Sequence, residues 1–274
     1  MKTIVDFQQM KSDGEKIAMI TAYDFPSAQQ AEEAEADVIL VGDSLGMVVL
    51  GYDSTTNVTL ADMVHHGKAV RRGAKDTFVV VDMPFMSYHA SLEKAIENAT
   101  VLFQDTNAQA IKIEGASEET LTLTKRLTEG GIPVVGHLGL TPQTVNVLGG
   151  YRVQAKDKAT SQKLLDDAKQ LEVAGACMIV LECIPKELGE IVTQSLSIPT
   201  IGIGAGANCD GQVLVYHDLL KYGAHQLPKF VKTYTNFHEY GVEAIKNYVS
   251  DVKKHHFPLE EHSYKFANKE LLPK

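Results

Sequence analysis

The chain has 274 residues, 44% of them hydrophobic, and 26 Lys and Arg against 35 Asp and Glu give it a formal net charge of −9. That length can bury a full core and suits one large α/β barrel or two smaller domains. The acidic balance argues against a nucleic-acid or anionic-membrane partner, and short basic spots such as Arg71-Arg72 and Lys253-Lys254 do not overturn it.

The opening residues, MKTIVDFQQMKSDGEK, lack the uninterrupted apolar stretch of a signal peptide and read as a short helix closing the bottom of a barrel. Apolar runs then recur as IAMITAYD (Ile17–Asp24), VILVGDS (Val38–Ser44), FVVVDMP (Phe78–Pro84) and AIKIEG (Ala110–Gly115). They continue as PVVGHLG (Pro133–Gly139), CMIVLEC (Cys177–Cys183), PTIGIGAG (Pro199–Gly206) and, less clearly, QVLVYHD (Gln212–Asp218). Rich in Val and Ile and without clean polar alternation, they read as strands of a parallel sheet covered on both faces. None approaches the roughly 20 residues that a membrane helix needs.

Between them lie crossover helices. Ser91 is suited to cap one that carries Leu92, Ala95, Ile96, Ala99 and Leu102 at helical spacing. Ser117 opens another, with Glu118 and Glu119 in its first turn and Gly130-Gly131 at its end. Ala159–Ala176 is a third unit of this kind, and Phe237–His255 reads as a terminal helix. Phe257–Phe266 lies beyond it, placed to cover a neighbour or an active-site mouth. Eight βα alternations match a (β/α)8 barrel, although a doubly wound open sheet has the same periodicity. With no linker and no low-complexity segment, residues 1–274 read as one barrel domain with a C-terminal helical extension. Cys177, Cys183 and Cys209 cannot all pair and form no C-x-x-C, so a reducing, cytoplasmic setting is expected.

The strand ends are polar. The second ends in Asp43-Ser44, the third in Asp82 and the fourth in Lys112 and Glu114, while the fifth carries His137 and the sixth Glu182. In a barrel the carboxyl ends of the strands converge, so residues far apart in sequence become neighbours. Taken alone, Asp43 is turn chemistry; the cluster is the signal. Crowded carboxylates need a compensating cation. Three oxygen donors, Asp43, Asp82 and Glu114, with no accompanying Cys, point to a hard divalent ion such as Mg2+, which leaves sites open for a 2-keto acid.

Lys112 and Glu114 face one side of their strand, either as a structural ion pair or with the lysine on a substrate oxygen. His137 is either a satisfied core histidine or a substrate contact. Glu182, after four apolar residues, makes a useful half-desolvated base, or else a charge at a helix start. The glycine-dense GIGAGANCDGQ (Gly202–Gln212) carries only a weak phosphate signal, and close backbone approach explains its glycines equally well. His65-His66 and His255-His256 read as surface residues.

Together, TAYD, VGDSLGMVVLGYDST, VVVDMPFMSY, AIKIEG, GHLGLTPQ, GGYRVQ, IVLECIP and IGIGAG…CDGQVLV resemble the 3-methyl-2-oxobutanoate hydroxymethyltransferase family, from about Thr3 to Tyr264. The resemblance implies a TIM barrel of the phosphoenolpyruvate/pyruvate superfamily type, usually a homodecamer. It also implies Mg2+ as cofactor, small-molecule substrates, and 5,10-methylenetetrahydrofolate as the one-carbon donor in forming 2-dehydropantoate for pantothenate synthesis. By the same resemblance Asp43, Asp82 and Glu114 match metal positions, Asp43, Ser44, Asp82 and Lys112 match contacts to the keto acid, and Glu182 matches the proton acceptor. His137 is expected to hydrogen-bond substrate or water. Two other readings share these residues: a superfamily lyase that needs no folate, and a non-catalytic protein that keeps the fold.

Overall fold

Every residue of Val38–Val41, Phe78–Asp82 and Ala110–Glu114 is buried, the pattern of strands covered on both faces. In the computed structural model, which describes residues 1–224, 226–267 and 273, they are three of eight parallel strands closed into a barrel. The strands are β1 (Ile17–Thr21), β2 (Val38–Val41), β3 (Phe78–Asp82), β4 (Ala110–Glu114), β5 (Val134–Gly139), β6 (Met178–Glu182), β7 (Thr200–Ile203) and β8 (Gly211–Leu214). Each pairs with its sequence neighbours, and β8 closes on β1. The closed barrel excludes the open sheet.

The helices are α1 (Ile4–Asp13), α2 (Phe25–Glu33), α3 (Leu45–Val48), α4 (Leu60–Gly73), α5 (Leu92–Thr106) and α6 (Glu118–Glu129). After them come α7 (Val145–Leu148), α8 (Lys158–Val173), α9 (Lys186–Ser195), α10 (Tyr216–Leu219) and α11 (Phe237–Lys253). Ser91 accepts from Lys94 N and Ser117 from Thr120 N, so the caps expected from sequence form. Among the described residues no helix is long and apolar enough to cross a membrane.

The eighth strand departs from expectation. It ends at Leu214, and Tyr216–Leu219 is helical. Thr21 Oγ1, at the end of β1, accepts Tyr216 N–H at 2.8 Å and so ends the ladder early.

Alternation along the strands sorts the core into two layers. Outward residues such as Ile39, Val81 and Ile111 cluster with Val70, Ala99 and Leu102 of the helices, and Ile179 and Leu181 with Leu171 and Val192. Inward residues such as Leu40, Val80, Ala110, Val135, Val180 and Ile201 form an apolar column inside the barrel. α1 plugs its lower end: Phe7 and Met10 join the column, and Phe7 meets the Phe78 ring edge-on at 5.2 Å between centroids. Lys11 secures the plug through Asp210 Oδ2 (2.7 Å) and Thr193 O (2.9 Å).

The chain divides into two compact units, Met1–Tyr216 with Leu227–Val231, and His217–Gln226 with Lys232–Lys274. The first contains the barrel. Within the second, α11 buries none of its residues in the single chain.

Candidate active site

The inward column ends in charge. Asp82 follows Val80 by two residues, Lys112 follows Ala110, His137 follows Val135 and Glu182 follows Val180, so strand alternation carries all four onto the interior face. Register then chooses the partners. Asp82 sits opposite Lys112 and Glu114 opposite His137 on adjacent strands. Accordingly Lys112 Nζ lies 3.0 Å from Asp82 Oδ1, and His137 Nδ1 lies 3.4 Å from Glu114 Oε1. His137 Nε2 reaches 3.2 Å from Glu182 Oε2, and Lys112 Nζ is 3.3 Å from His137 Nδ1. Lys112 therefore pairs with Asp82 rather than with Glu114, which corrects the ion pair considered from spacing alone. The reason is that a cross-strand partner is nearer than the next residue on the same face.

Asp43 enters from just beyond β2. Its N–H donates to Asp82 Oδ2 at 3.1 Å, and its Oδ2 accepts from Gln143 Nε2 at 2.8 Å. Ser44 is half-buried and shares a hydrogen bond of 2.8 Å with the Tyr23 hydroxyl. Six of the seven predicted site residues thus join one network, and Ser44 follows Asp43 in the chain with its hydroxyl turned to Tyr23.

The electrostatics follow from burial. Desolvation, then Asp82 and Glu114, push the Asp43 carboxyl well above its usual range. Desolvation also raises Asp82, against the opposing pull of Lys112. Burial alone would lower the Lys112 ammonium, but Asp82, Glu114 and Asp43 together raise it, so it stays charged. Burial and Lys112 both lower the His137 imidazole, yet its contacts with Glu114 and Glu182 prevail and carry it up to about 9. His137 thus lies between two carboxylates, with Nδ1 toward Glu114 and Nε2 toward Glu182.

The donor set fits a hard divalent cation. Ionised, the four carboxylates outnumber Lys112 and His137 by two charges. Asp82 Oδ1 and Glu114 Oε1 are buried, each beside a cationic side chain and with no further hydrogen-bond donor. Among the described residues, no group of three or more His, Cys, Asp or Glu side chains is placed so that it could hold a metal ion.

Three participants escaped the sequence reading. Gln143 and Tyr88 bridge Asp43 to Glu114, and Tyr23 holds Ser44. All three lie in stretches that carry the family resemblance, TAYD, VVVDMPFMSY and GHLGLTPQ, where no charge marks them as site residues. His66, read as a surface residue, is half-buried with Nδ1 2.6 Å from Tyr23 O. Its helix turns that face toward the end of β1, which composition does not reveal. The glycine-dense loop is explained by its own chain: a Cβ on Gly206 (φ +90°) would lie 2.5 Å from Lys186 Cβ.

A closed parallel barrel whose strand ends converge on buried acids, a lysine and a histidine defines a (β/α)8 enzyme with its site at the carboxyl rim. Solved structures of that class share the fold. A phosphoenolpyruvate phosphomutase from Streptomyces platensis subsp. rosaceus superposes with a TM-score of 0.62 at 12% identity, over 96% of this chain and 92% of that one. A 2,3-dimethylmalate lyase of the PEP mutase/isocitrate lyase superfamily gives 0.60 at 16%, over 100% and 92%. In sequence, residues 1–260 match the family model described as ketopantoate hydroxymethyltransferase. The 3-methyl-2-oxobutanoate hydroxymethyltransferase of Bacillus cereus (strain B4264) is 60% identical over 272 residues, 99% of this chain and 98% of that protein. The chain belongs to the ketopantoate hydroxymethyltransferase family.

Proposed function

We propose that the protein transfers a hydroxymethyl group from 5,10-methylenetetrahydrofolate to 3-methyl-2-oxobutanoate, forming 2-dehydropantoate for pantothenate synthesis, with Glu182 as the base. One observation carries the assignment of Glu182. Its side chain is 15% exposed, whereas those of Asp82 and Glu114 are 3% exposed. It is the site carboxylate able to meet a substrate and to exchange its proton with water.

Asp43, Asp82 and Glu114 would hold Mg2+, which when bound supplies Lewis-acid polarisation of the keto oxygen. Glu182 takes the proton from C3 while His137 steadies its carboxylate at 3.2 Å. Lys112 keeps a buried positive charge against the oxygen that becomes negative as C3 loses its proton. Ser44 and Asp43 orient the acid from the end of β2. Water adds to the methylene carbon of the ring-opened folate iminium and the C–N bond breaks, so that tetrahydrofolate leaves and the one-carbon unit is released as formaldehyde. The C3 carbon adds to that carbonyl, forming the new C–C bond, and the resulting alkoxide takes a proton to become the hydroxymethyl group.

The test is to incubate the protein with 3-methyl-2-oxobutanoate in D2O, with Mg2+ or EDTA and without folate, following the C3 proton by NMR. Pyruvate is the parallel substrate. Metal-dependent loss of the C3 signal is expected, and Glu182→Gln should abolish it while sparing Mg2+-dependent binding of the acid. Exchange confined to pyruvate would assign the site to a lyase, and wild-type exchange in the variant would remove Glu182 from its role.

The same reading includes one functional barrel domain with a helical extension, a cytoplasmic setting and a homo-oligomer, as the family resemblance implies. The apolar side chains that α11 leaves exposed in the single chain, Tyr240, Ile245 and Tyr248 among them, support an assembly.

A further inference from the structure

Gln143 carries no charge and lies in the turn after β5, yet it is only 3% exposed and turns both ends of its side-chain amide and its main-chain N–H toward the site. Its Nε2 donates to Asp43 Oδ2 at 2.8 Å and to Met83 O at 2.9 Å. Its Oε1 accepts from the Tyr88 hydroxyl at 2.7 Å, and its main-chain N–H donates to Glu114 Oε2 at 3.1 Å. One glutamine thus joins the ends of β2, β3 and β4.

The amide has a single workable orientation. Rotated by half a turn, its oxygen would face two acceptors, Asp43 Oδ2 and Met83 O. The Tyr88 hydroxyl is also committed: it accepts Glu114 N–H at 3.3 Å, which leaves its own proton for Gln143. Both carboxylates are consequently held by one oxygen, Oδ2 of Asp43 and Oε2 of Glu114. The other oxygen of Glu114, Oε1, is among the buried atoms without a donor.

We propose that Gln143 is a positioning residue that pins Asp43 and Glu114 by one oxygen each, so that the second oxygen of each is presented to the ligand, and that Tyr88 sets the orientation of the Gln143 amide. The proposal deepens the functional reading above and rests on it. Gln143 reaches the chemistry only through the two carboxylates. The groups that orient metal-binding side chains typically alter affinity or activity by roughly ten- to a hundredfold when removed.

The experiment uses the full-length protein and three variants: Gln143→Met, of similar length but without donors, Tyr88→Phe, and the double variant. Three quantities are read: Mn2+ affinity by electron paramagnetic resonance, kcat and KM for C3 exchange of 3-methyl-2-oxobutanoate in D2O, and urea stability. Gln143→Met should weaken Mn2+ binding and lower the exchange kcat, each by roughly ten- to a hundredfold. Tyr88→Phe should act in the same direction and less strongly. The double variant should be no worse than Gln143→Met, because Tyr88 acts through the amide. A purely structural role would instead lower stability and leave Mn2+ affinity and exchange kcat at wild-type values, which would overturn the proposal. Losses that multiply in the double variant would remove Tyr88 from it. Should Gln143→Met fail to fold, Tyr88→Phe decides by the same two readings. If the wild type exchanges the proton but binds no Mn2+, the metal part of the functional reading falls and the exchange kcat alone judges Gln143. If the wild type does neither, both fall together.

Discussion

At the scale of single residues, Gly42 separates a buried apolar strand from Asp43. A Cβ at Gly42 would sit 2.9 Å from Ser44 Oγ and 3.6 Å from Asp82 Oδ2. Gly42→Ala should therefore displace Ser44 from Tyr23 while meeting Asp82 only at ordinary contact distance. The expected cost is about 1–3 kcal/mol of stability in urea unfolding, with C3 exchange slowed roughly tenfold to a hundredfold. Wild-type exchange in that variant would show that the space is not needed. The charged residues of this neighbourhood were legible in the sequence because a carboxylate or lysine at the end of a greasy strand is out of character. Gln143 and Tyr88 lie within the stretches GHLGLTPQ and VVVDMPFMSY, but neither stands out there as a site residue. An uncharged amide in a turn has many uses, and its partners come from segments scattered along the chain. Register decided the rest, since whether Lys112 meets Glu114 or Asp82 depends on how β3 and β4 align.

At the scale of elements, the strands announced themselves by length and apolar content, and the helices by their caps. The boundary of β8 did not, because Thr21 at the end of the neighbouring β1 stops it. A second tie of this kind joins α2 to the segment before β3. Glu32 accepts from Asp76 N at 2.8 Å, Thr77 Oγ1 at 3.0 Å and Lys75 N at 3.3 Å. Burial raises its carboxyl, but these donors together outweigh that and hold it below the ordinary 4.5. A depressed folded-state pKa contributes stability that is present above the unfolded value and is lost as pH falls through the folded one. Glu32→Gln should thus be less stable than wild type by about 1–2 kcal/mol near neutrality. The gap should close as the pH drops below 4.5. Urea titrations across that range measure it, and a gap independent of pH would refute the account.

At the scale of the whole molecule, the site stands on an apolar pillar sealed at the far end by α1. The chemistry at the rim and the packing at the base are therefore separate tasks within one barrel. The exposed apolar side chains of α11 belong to the other unit, and the proposed homo-oligomer is tested by its mass. Light scattering should give a mass several times the 29.9 kDa chain, ten times for a decamer. A mass of one chain at working concentration would refute the homo-oligomer. The pillar has a further consequence, for how the molecule avoids folding wrongly. Because charges and hydrocarbon share alternate positions on the same strands, sliding β4 by a single residue would thrust Lys112 and Glu114 outward into the grease beneath the helices and bring Ile111 and Ile113 into the barrel. A bare ammonium and a bare carboxylate in that layer cost far more than any ladder bond regains. The residues proposed for chemistry thus also act as a proofreader, rejecting misaligned barrels before any substrate arrives.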